Sequence, residues 1–300
     1  MVSFDPDRFL YGVLGDVHGD LPTLVEAVDA VRKCAAATMR RAFVFVLGDA
    51  IDRGPDSAGC ATFLMRLARG EDKERGDAEL CFVRGDHDEA LSHDPATDRF
   101  ASSVEPADWA ERLNELSPDD PERTVARNFI AFVREAPAAA LLSGASVGVL
   151  LAHGAVPHAD LLPRLGRLAD LETRECERDF VWCRVSSARR KMPNRCSLTC
   201  DVGREDVSDF LARLAELVAR SRDEDSQDPR SMALDVARRE WHVAHFIHGH
   251  EHMSSGWEAT ALRDGATAWT VTTFHDDDGG FLAPIRPGVV LIDRAERVPE

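Results

Sequence analysis

The sequence predicts an α/β fold with a largely parallel sheet. Runs rich in β-forming residues alternate with helical patterns in the N-terminal third, and several of these runs stop abruptly at Gly-Asp or His-Gly. The order strand, helix, strand, helix, strand is typical of βαβ units, in which successive strands run parallel. Hydrophobic residues make up 44% of the 300 residues, which is normal for a folded globular chain. We expect one domain over residues 1–300, with helical insertions at about 89–135 and 155–240.

The elements are predicted in chain order from the spacing of apolar residues. Phe9–Leu14 is a nearly continuous apolar run and predicts a buried strand, whereas Leu21 begins a pattern with one apolar face, which predicts a helix. A second helix is centred on Phe63–Leu67, and Phe129 lies in a third helical stripe. The remaining predicted strands are Ala42–Leu47, Leu80–Val83, the hairpin Ala138–Ala152, Val243–Ile247, Ala268–Phe274 and Val289–Ile292. Ser221–Arg230 is charged and has no large apolar residue, so it is predicted to be a disordered loop.

Charge and composition exclude several classes of protein. The formal net charge is −17, and because so acidic a chain repels phosphate backbones, we expect no nucleic-acid partner. No run of about 18 apolar residues is present to span a bilayer, so no membrane partner is expected. The polar, acidic start Met1–Arg8 is unlike a signal peptide. Seven cysteines without a Cys-x-x-Cys pair favour a reduced, cytoplasmic protein.

Side chains suited to chemistry follow the predicted strands at the points where the strands end. Because the carboxyl ends of parallel strands meet at one edge of a sheet, these side chains should line a common crevice. They are Asp16, His18, Asp49, Asp86, His153 and His250. Gathering carboxylates and imidazoles without a compensating charge is costly, so we expect cations, and the number of ligands is enough for two. The absence of thiolates nearby in sequence favours Mn, Zn or Fe over a thiolate-rich structural zinc site.

Three glycine-flanked blocks give these residues a family resemblance. The blocks Gly15–Gly19 (GDVHG), Gly48–Gly54 (GDAIDRG) and Gly85–Asp88 (GDHD) are similar to the signature of the PPP-type metallophosphatases, within the calcineurin-like phosphoesterase superfamily. His153 and His250 lie in segments that resemble the two later histidine blocks, so five blocks occur in the expected order over nearly the whole chain. That family comprises the serine/threonine protein phosphatases and bacterial relatives that include diadenosine tetraphosphatases. The resemblance implies a β-sandwich of mixed sheets flanked by helices.

The resemblance also implies a role for each residue. The first metal would be held by Asp16, His18 and Asp49, and the second by Asp49, Asp86, His153 and His250. Arg53 and Arg195 would bind the phosphate oxygens, since the arginine fork matches an oxyanion. His87, oriented by Asp52, would protonate the leaving oxygen. The implied cofactors are two divalent metal ions, with manganese favoured and iron or zinc as alternatives, and a metal-bridging hydroxide would attack phosphorus.

Departures from the family pattern leave alternatives open. Position 86 is Asp where the family has Asn, which adds a negative charge beside the second metal. His252 follows His250 with the spacing seen in the wider superfamily and is a second candidate ligand for the first metal. We expect a phosphoric monoester hydrolase of the serine/threonine protein phosphatase type, whose partner is a phosphoprotein, because the segment from Trp182 to Arg195 resembles that of the protein phosphatases. The acidic Asp88 that ends the third block favours an alternative, a hydrolase of dinucleoside polyphosphates or small phosphate esters. Asp86 favours another, a catalytically weakened metal-binding interaction protein.

Overall fold

The structure of the protein is a computed structural model. It describes residues 1–72, 76–144, 146–186, 201–224, 241–250, 257–271 and 289–292. Within them the strands are β1 (Val2–Ser3), β2 (Phe9–Leu14), β3 (Arg41–Val46), β4 (Ala78–Phe82), β5 (Ser92–Asp94), β6 (Arg99–Ala101), β7 (Ala139–Ser143), β8 (Val147–Ala152), β9 (Val185–Ser186), β10 (Val202–Gly203), β11 (His242–His248), β12 (Trp257–Ala261), β13 (Thr267–Val271) and β14 (Val289–Ile292). The helices are α1 (Leu21–Ala37), α2 (Ser57–Ala68), α3 (Asp86–Ala90), α4 (Asp108–Glu115), α5 (Pro121–Glu135), α6 (Arg174–Trp182) and α7 (Arg204–Glu224). None of these described helices has the length and apolar character needed to cross a membrane.

Internal contacts divide the chain into two compact units. Unit 1 consists of Met1–Asp5, Ala138–His248 and Ala259–Trp269, and unit 2 consists of Pro6–Pro137, Gly249–Glu258 and Thr270–Glu300. Each unit has its own cluster of buried hydrophobic side chains. The expectation of one domain over residues 1–300 stays a prediction.

The sheet of unit 2 has the strand order β14-β2-β3-β4. Its strands β2, β3 and β4 run parallel, with Gly12 opposite Val44 and Val44 opposite Leu80, whereas β14 is antiparallel to β2. The helices α1 and α2 connect the parallel strands and bury their apolar faces in the same cluster as the sheet. This is the βαβ arrangement that the alternating pattern predicts. The carboxyl ends of three neighbouring strands therefore lie side by side.

Both connecting helices begin at an aspartate that caps the first turn. The side chain of Asp20 accepts a hydrogen bond from Thr23 N (3.1 Å), and that of Asp56 accepts one from Gly59 N (2.8 Å). Each cap satisfies a backbone N–H that has no partner within its own helix. The loops between strand and helix are therefore held at both ends.

The second large sheet has the order β1-β7-β8-β11-β13-β12, and most of its residues belong to unit 1. The predicted hairpin forms with β7 antiparallel to β8, and β11 then pairs parallel with β8, placing Phe246 opposite Leu150. Helices α6 and α7 pack into the cluster of this unit, where Phe180 and Phe210 meet edge to face with ring centroids 5.8 Å apart. The predicted α/β class, with mixed sheets flanked by helices, is confirmed.

The differences from the predicted elements are small and have physical causes. Strand β2 has the predicted bounds, and β3 is displaced by one residue towards the N-terminus. The loop predicted at Ser221–Arg230 is wrong for residues 221–224, which form the last turn of α7, and its other residues lie outside the described ones. Arg222 on that turn donates to Ser143 Oγ (2.9 Å) and Gly144 O (2.8 Å). These contacts with a distant part of the chain hold a turn that local composition does not favour.

Candidate metal centre

The loops after β2 and β3 are joined by backbone hydrogen bonds that continue beyond both strands. Val17 N and His18 N both donate to Asp49 O, at 2.9 and 2.7 Å. Gly19 N donates to Ala50 O at 3.0 Å. The first two glycine-flanked blocks are therefore held next to each other by main-chain bonding, before any side chain contributes.

The first candidate ligand set lies on these two loops and is completely buried. Asp16, His18 and Asp49 each offer one donor atom, and these atoms all lie within 4.8 Å of one another. His18 Nδ1 lies 3.1 Å from Ile51 O, and because a carbonyl only accepts, Nδ1 carries the proton and donates. The other ring nitrogen, Nε2, is thus the basic one, and it lies 3.6 Å from Asp49 Oδ2. Metal-binding histidines are usually oriented in this way, by a hydrogen bond from the ring nitrogen that does not bind the metal.

A second set shares Asp49 with the first. Asp49, Asp86 and His250 also offer donor atoms within 4.8 Å of one another, and His250 Nδ1 lies 3.6 Å from Asp86 Oδ1. Backbone N–H groups orient two of the carboxylates, since His87 N donates to Asp49 Oδ1 (3.0 Å) and His250 N donates to both oxygens of Asp16 (3.1 Å each). The shared aspartate is placed where one carboxylate can serve two ions.

The chemistry of these side chains fits divalent cations. Three buried carboxylates lie close together with two imidazoles, and burial of that much negative charge is costly unless positive charge compensates it. The donors are oxygen and nitrogen only, which suits Mn, Fe or Zn in a catalytic centre. The described residues of unit 2 therefore offer oxygen and nitrogen donors that suit divalent cations.

Three other predicted site residues either belong to unit 1 or fall outside the described part of the chain. His153 belongs to unit 1, directly after β8, and is fully buried, and its place in the second ligand set stays a prediction. Arg195 and His252 lie outside the described residues.

The predicted acid and its orienting carboxylate form a direct hydrogen bond. His87 Nδ1 lies 2.8 Å from Asp52 Oδ2, and both side chains are buried. On the other side of the ring, Arg53 Nη2 lies 3.3 Å from His87 Nε2. A guanidinium only donates, so this contact is a hydrogen bond only with a neutral His87 ring, in which Nδ1 carries the proton and donates to Asp52. Burial lowers the pKa of His87, but the carboxylates of Asp49, Asp52 and Asp86 outweigh it and raise the pKa to about 9.

The backbone of the site is in a rarely adopted conformation. Of the seven described non-glycine residues with positive φ, five are His18, Asp49, Asp52, Arg53 and His250. Such conformations cost roughly 1–3 kcal/mol each and persist where the surrounding structure enforces them. They turn the side chains into the site at positions where a regular strand or helix would point them elsewhere.

Close packing of two loops explains why glycine occupies position 48. Gly48 has φ +91, and a Cβ there would lie 2.3 Å from Gly85 N. Only glycine allows both the backbone conformation and this approach. The loop carrying Asp49 is therefore in contact with the loop carrying Asp86.

Sequence reasoning missed the role of Asp88, which joins the same two loops. Its Oδ1 accepts from Ala50 N (2.9 Å), its Oδ2 accepts from Gly85 N (3.0 Å), and the residue is fully buried. A signal existed, because the acidic residue lies two positions after Asp86 in the block GDHD. Asp88 is a positioning residue that holds the loops at a fixed separation.

Helix α4 supplies two further contacts for which the sequence contains no signal. Trp109 N donates to Asp52 Oδ1 (3.0 Å), and Asp108 Oδ2 accepts from Arg53 N (3.1 Å). These residues come from the first predicted insertion, more than fifty positions along the chain from their partners. Thus Asp52 is oriented from both sides, by Trp109 and by His87.

The family model for calcineurin-like phosphoesterases matches residues 9–254. The chain belongs to the calcineurin-like phosphoesterase family. No curated protein sequence gives a significant match to this phosphoesterase.

Three solved structures align with this chain at low sequence identity. A Saccharomyces cerevisiae serine/threonine phosphatase with similarity to human phosphatase PP5 aligns with a TM-score of 0.57 and 16% identity, covering 97% of this phosphoesterase and 76% of that chain. A cold-active protein tyrosine phosphatase of a psychrophile, Shewanella sp., aligns with a TM-score of 0.44 and 14% identity over 98% and 81% of the two chains. A candidate diadenosine tetraphosphatase aligns with a TM-score of 0.40 and 16% identity over 89% and 85%. At these identities the first likeness shows the fold alone.

Proposed function

We propose that this phosphoesterase hydrolyses phosphoric monoesters, with phosphoserine and phosphothreonine in proteins as its substrates. The observation that carries the proposal is the hydrogen-bonded series of Asp52, His87 and Arg53 in the unit that holds two ligand sets for divalent cations. A protein that only binds metal needs neither a carboxylate to orient an imidazole nor a guanidinium beside it. The arrangement therefore favours an enzyme over a metal-binding interaction protein.

The two ions would be held by Asp16, His18, Asp49, Asp86, His153 and His250. When bound, divalent ions supply Lewis-acid polarisation of the phosphate ester and lower the pKa of water. We propose manganese as the metal, with iron and zinc as alternatives, because the set combines several carboxylates with imidazoles and contains no thiolate.

The side chains of the chain itself would bind the phosphate and move the proton. Arg53 would donate two hydrogen bonds to phosphate oxygens, the geometry in which arginine surpasses lysine. His87 would transfer the proton on Nε2 to the leaving alkoxide, while Asp52 stabilises the imidazolium through Nδ1–H. When Nε2 carries a proton, it cannot accept a hydrogen bond from Arg53. The Arg53 guanidinium can then donate to the phosphate instead, so proton transfer by His87 and phosphate binding by Arg53 can occur together. Arg195 would be the second arginine on the phosphate.

Two observations support a phosphoprotein substrate. The Saccharomyces cerevisiae serine/threonine phosphatase is similar over most of both chains, and the segment from Trp182 to Arg195 resembles that of the protein phosphatases. The acidic Asp88 was the sequence argument for dinucleoside polyphosphates. Its two hydrogen bonds to backbone N–H groups give it a structural role, so it does not favour that substrate class.

A metal-by-substrate screen tests the proposal. The protein is freed of metal by chelation, reloaded with Mn, Zn, Fe or Mg, and assayed with phosphoserine and phosphothreonine peptides, p-nitrophenyl phosphate and diadenosine tetraphosphate. We expect metal-dependent turnover of the phosphopeptides with no cleavage of the dinucleotide, and loss of turnover in the control Asp49→Asn. Dinucleotide cleavage without peptide turnover would show that dinucleoside polyphosphates are the substrate class instead. No activity with any metal would favour the interaction protein.

A further inference from the structure

A separate group of side chains with metal-binding donors lies within unit 1. His158 lies in the segment after β8, Asp179 lies in α6, and Cys183 follows that helix directly. One donor atom from each residue lies within 4.8 Å of the other two. Asp179 and Cys183 are buried, and the His158 side chain is 14% exposed. None of the five phosphatase-like blocks includes these residues.

The separations of the donor atoms lie within about half an ångström of those around a tetrahedral zinc ion. Cys183 Sγ lies 3.5 Å from Asp179 Oδ1 and 3.9 Å from His158 Nδ1, and His158 Nδ1 lies 2.9 Å from Asp179 Oδ2. Zinc bonds of about 2.3 Å to sulfur and about 2.0–2.1 Å to nitrogen or oxygen place such ligands roughly 3.3–3.6 Å apart. Shifts of a few tenths of an ångström would therefore bring all three atoms to bonding distance.

The charge on Asp179 also calls for a cation. Among the described residues, its carboxylate accepts hydrogen bonds only from His158, through N and Nδ1, and from Cys183. No described arginine or lysine forms an ion pair with it, although it is only 4% exposed, and His158 pairs with it as a cation only when its ring is protonated. A buried carboxylate is costly without a compensating charge. A divalent cation bound by one carboxylate and one thiolate has a net charge of zero.

We propose that His158, Asp179 and Cys183 bind one thiophilic divalent cation, for which zinc is the best chemical match. On binding, the Cys183 thiol releases its proton to solvent and the proton of His158 moves from Nδ1 to Nε2, so that sulfur and Nδ1 coordinate the ion. The fourth tetrahedral position is left for a water molecule.

This cation would stabilise the segment that carries His153. Gly154, the next residue, donates its N–H to Phe180 O (2.7 Å), and a Cβ on Gly154 would lie 2.5 Å from Cys183 O. The segment after β8 is therefore in contact with the C-terminal part of α6. A metal bound by His158 from the first and by Asp179 and Cys183 from the second would join them by coordination bonds.

Cobalt(II) titration of the full-length chain tests the site without any assay of phosphoesterase activity. Cobalt bound by a thiolate gives a charge-transfer band in the near ultraviolet, which carboxylate and imidazole ligands do not produce. We expect a band whose final intensity corresponds to one thiolate-bound cobalt ion per chain, that is displaced by zinc, and that is abolished in Cys183→Ser. The matched control is Cys176→Ser, because Cys176 is equally buried in α6, the helix that Cys183 follows, and lies outside the cluster. The control should keep the band at full intensity.

A second variant keeps the test decisive if Cys183→Ser does not fold. His158→Gln removes a partly exposed ligand, and we expect it to weaken cobalt binding by at least roughly tenfold while the fold is retained. A band that persists unchanged in Cys183→Ser or His158→Gln, or the absence of a band in the parent protein, would overturn the proposal.

Discussion

Replacing Asp52 by Asn tests how much the orienting carboxylate contributes to acid catalysis. The substitution preserves shape, and the amide oxygen can still accept the hydrogen bond from Trp109 N. The amide nitrogen then faces His87 Nδ1, where the carboxylate now lies at 2.8 Å. An amide cannot stabilise the imidazolium as a carboxylate does, so His87 becomes a poorer proton donor at the moment of transfer.

The magnitude follows from this single hydrogen bond. A hydrogen bond to a charged group contributes about 1.5–3 kcal/mol. At about 1.4 kcal/mol per factor of ten, the rate constant should fall roughly 10- to 150-fold. The whole contribution of a general acid is about 10²- to 10⁴-fold, so His87→Asn should cost at least as much as Asp52→Asn.

The assay compares kcat/KM for a phosphoserine peptide with that for p-nitrophenyl phosphate, at saturating manganese and with metal content measured. The aryl leaving group needs little protonation, so its rate should change by less than about threefold. The descending limb of the pH–rate profile for the peptide should move to lower pH, because Asp52 is one of the carboxylates that raise the pKa of His87. Exposed Asp94 provides a control as Asp94→Asn. Equal losses on both esters, with metal retained, would refute the assignment of His87 as the acid.

Three further substitutions test the loops. Asp49→Asn should lose bound metal and activity together while circular dichroism shows a folded chain, because Asp49 belongs to both ligand sets; two equivalents of metal after dialysis would contradict this. Asp88→Ala leaves two buried N–H groups without an acceptor, at about 1–3 kcal/mol each, so urea unfolding should show a loss of roughly 2–6 kcal/mol. Gly48→Ala should unfold at a lower temperature than Gly70→Ala, since both glycines have positive φ but only a Cβ at position 48 meets neighbouring backbone. Similar melting temperatures would show that the contact of this Cβ with the backbone contributes little to stability.

Local sequence was sufficient for the elements of unit 2 that carry the site. The apolar run Phe9–Leu14 lies between Arg8 and the pair Gly15-Asp16, and the strand has those bounds. Asp20 and Asp56 cap helices in the way expected of an aspartate before an apolar pattern. The blocks GDVHG, GDAIDRG and GDHD also fall at strand ends as predicted, since glycine and aspartate terminate strands locally.

Long-range contacts were beyond the reach of such reasoning. Arg222 keeps the last turn of α7 helical through hydrogen bonds to the turn between β7 and β8, although the local composition resembles a loop. Helix α4 orients Asp52 through Trp109 N, and a backbone N–H has no side-chain signature by which a sequence could reveal it. The hairpin of β5 and β6 lies in a stretch that was expected to be helical.

The sequence by itself determined which residue types stand at the strand ends, and therefore that carboxylates, imidazoles and an arginine would be available for metal and phosphate chemistry. Only the tertiary structure decided which atoms meet: Asp49 shared between two ligand sets, His87 between Asp52 and Arg53, and Asp88 between two loops. The physical reason is that residue type and local spacing are properties of a short segment, whereas these distances depend on strand register and positive-φ turns. Register is set by burial of both sheet faces together, over many residues at once.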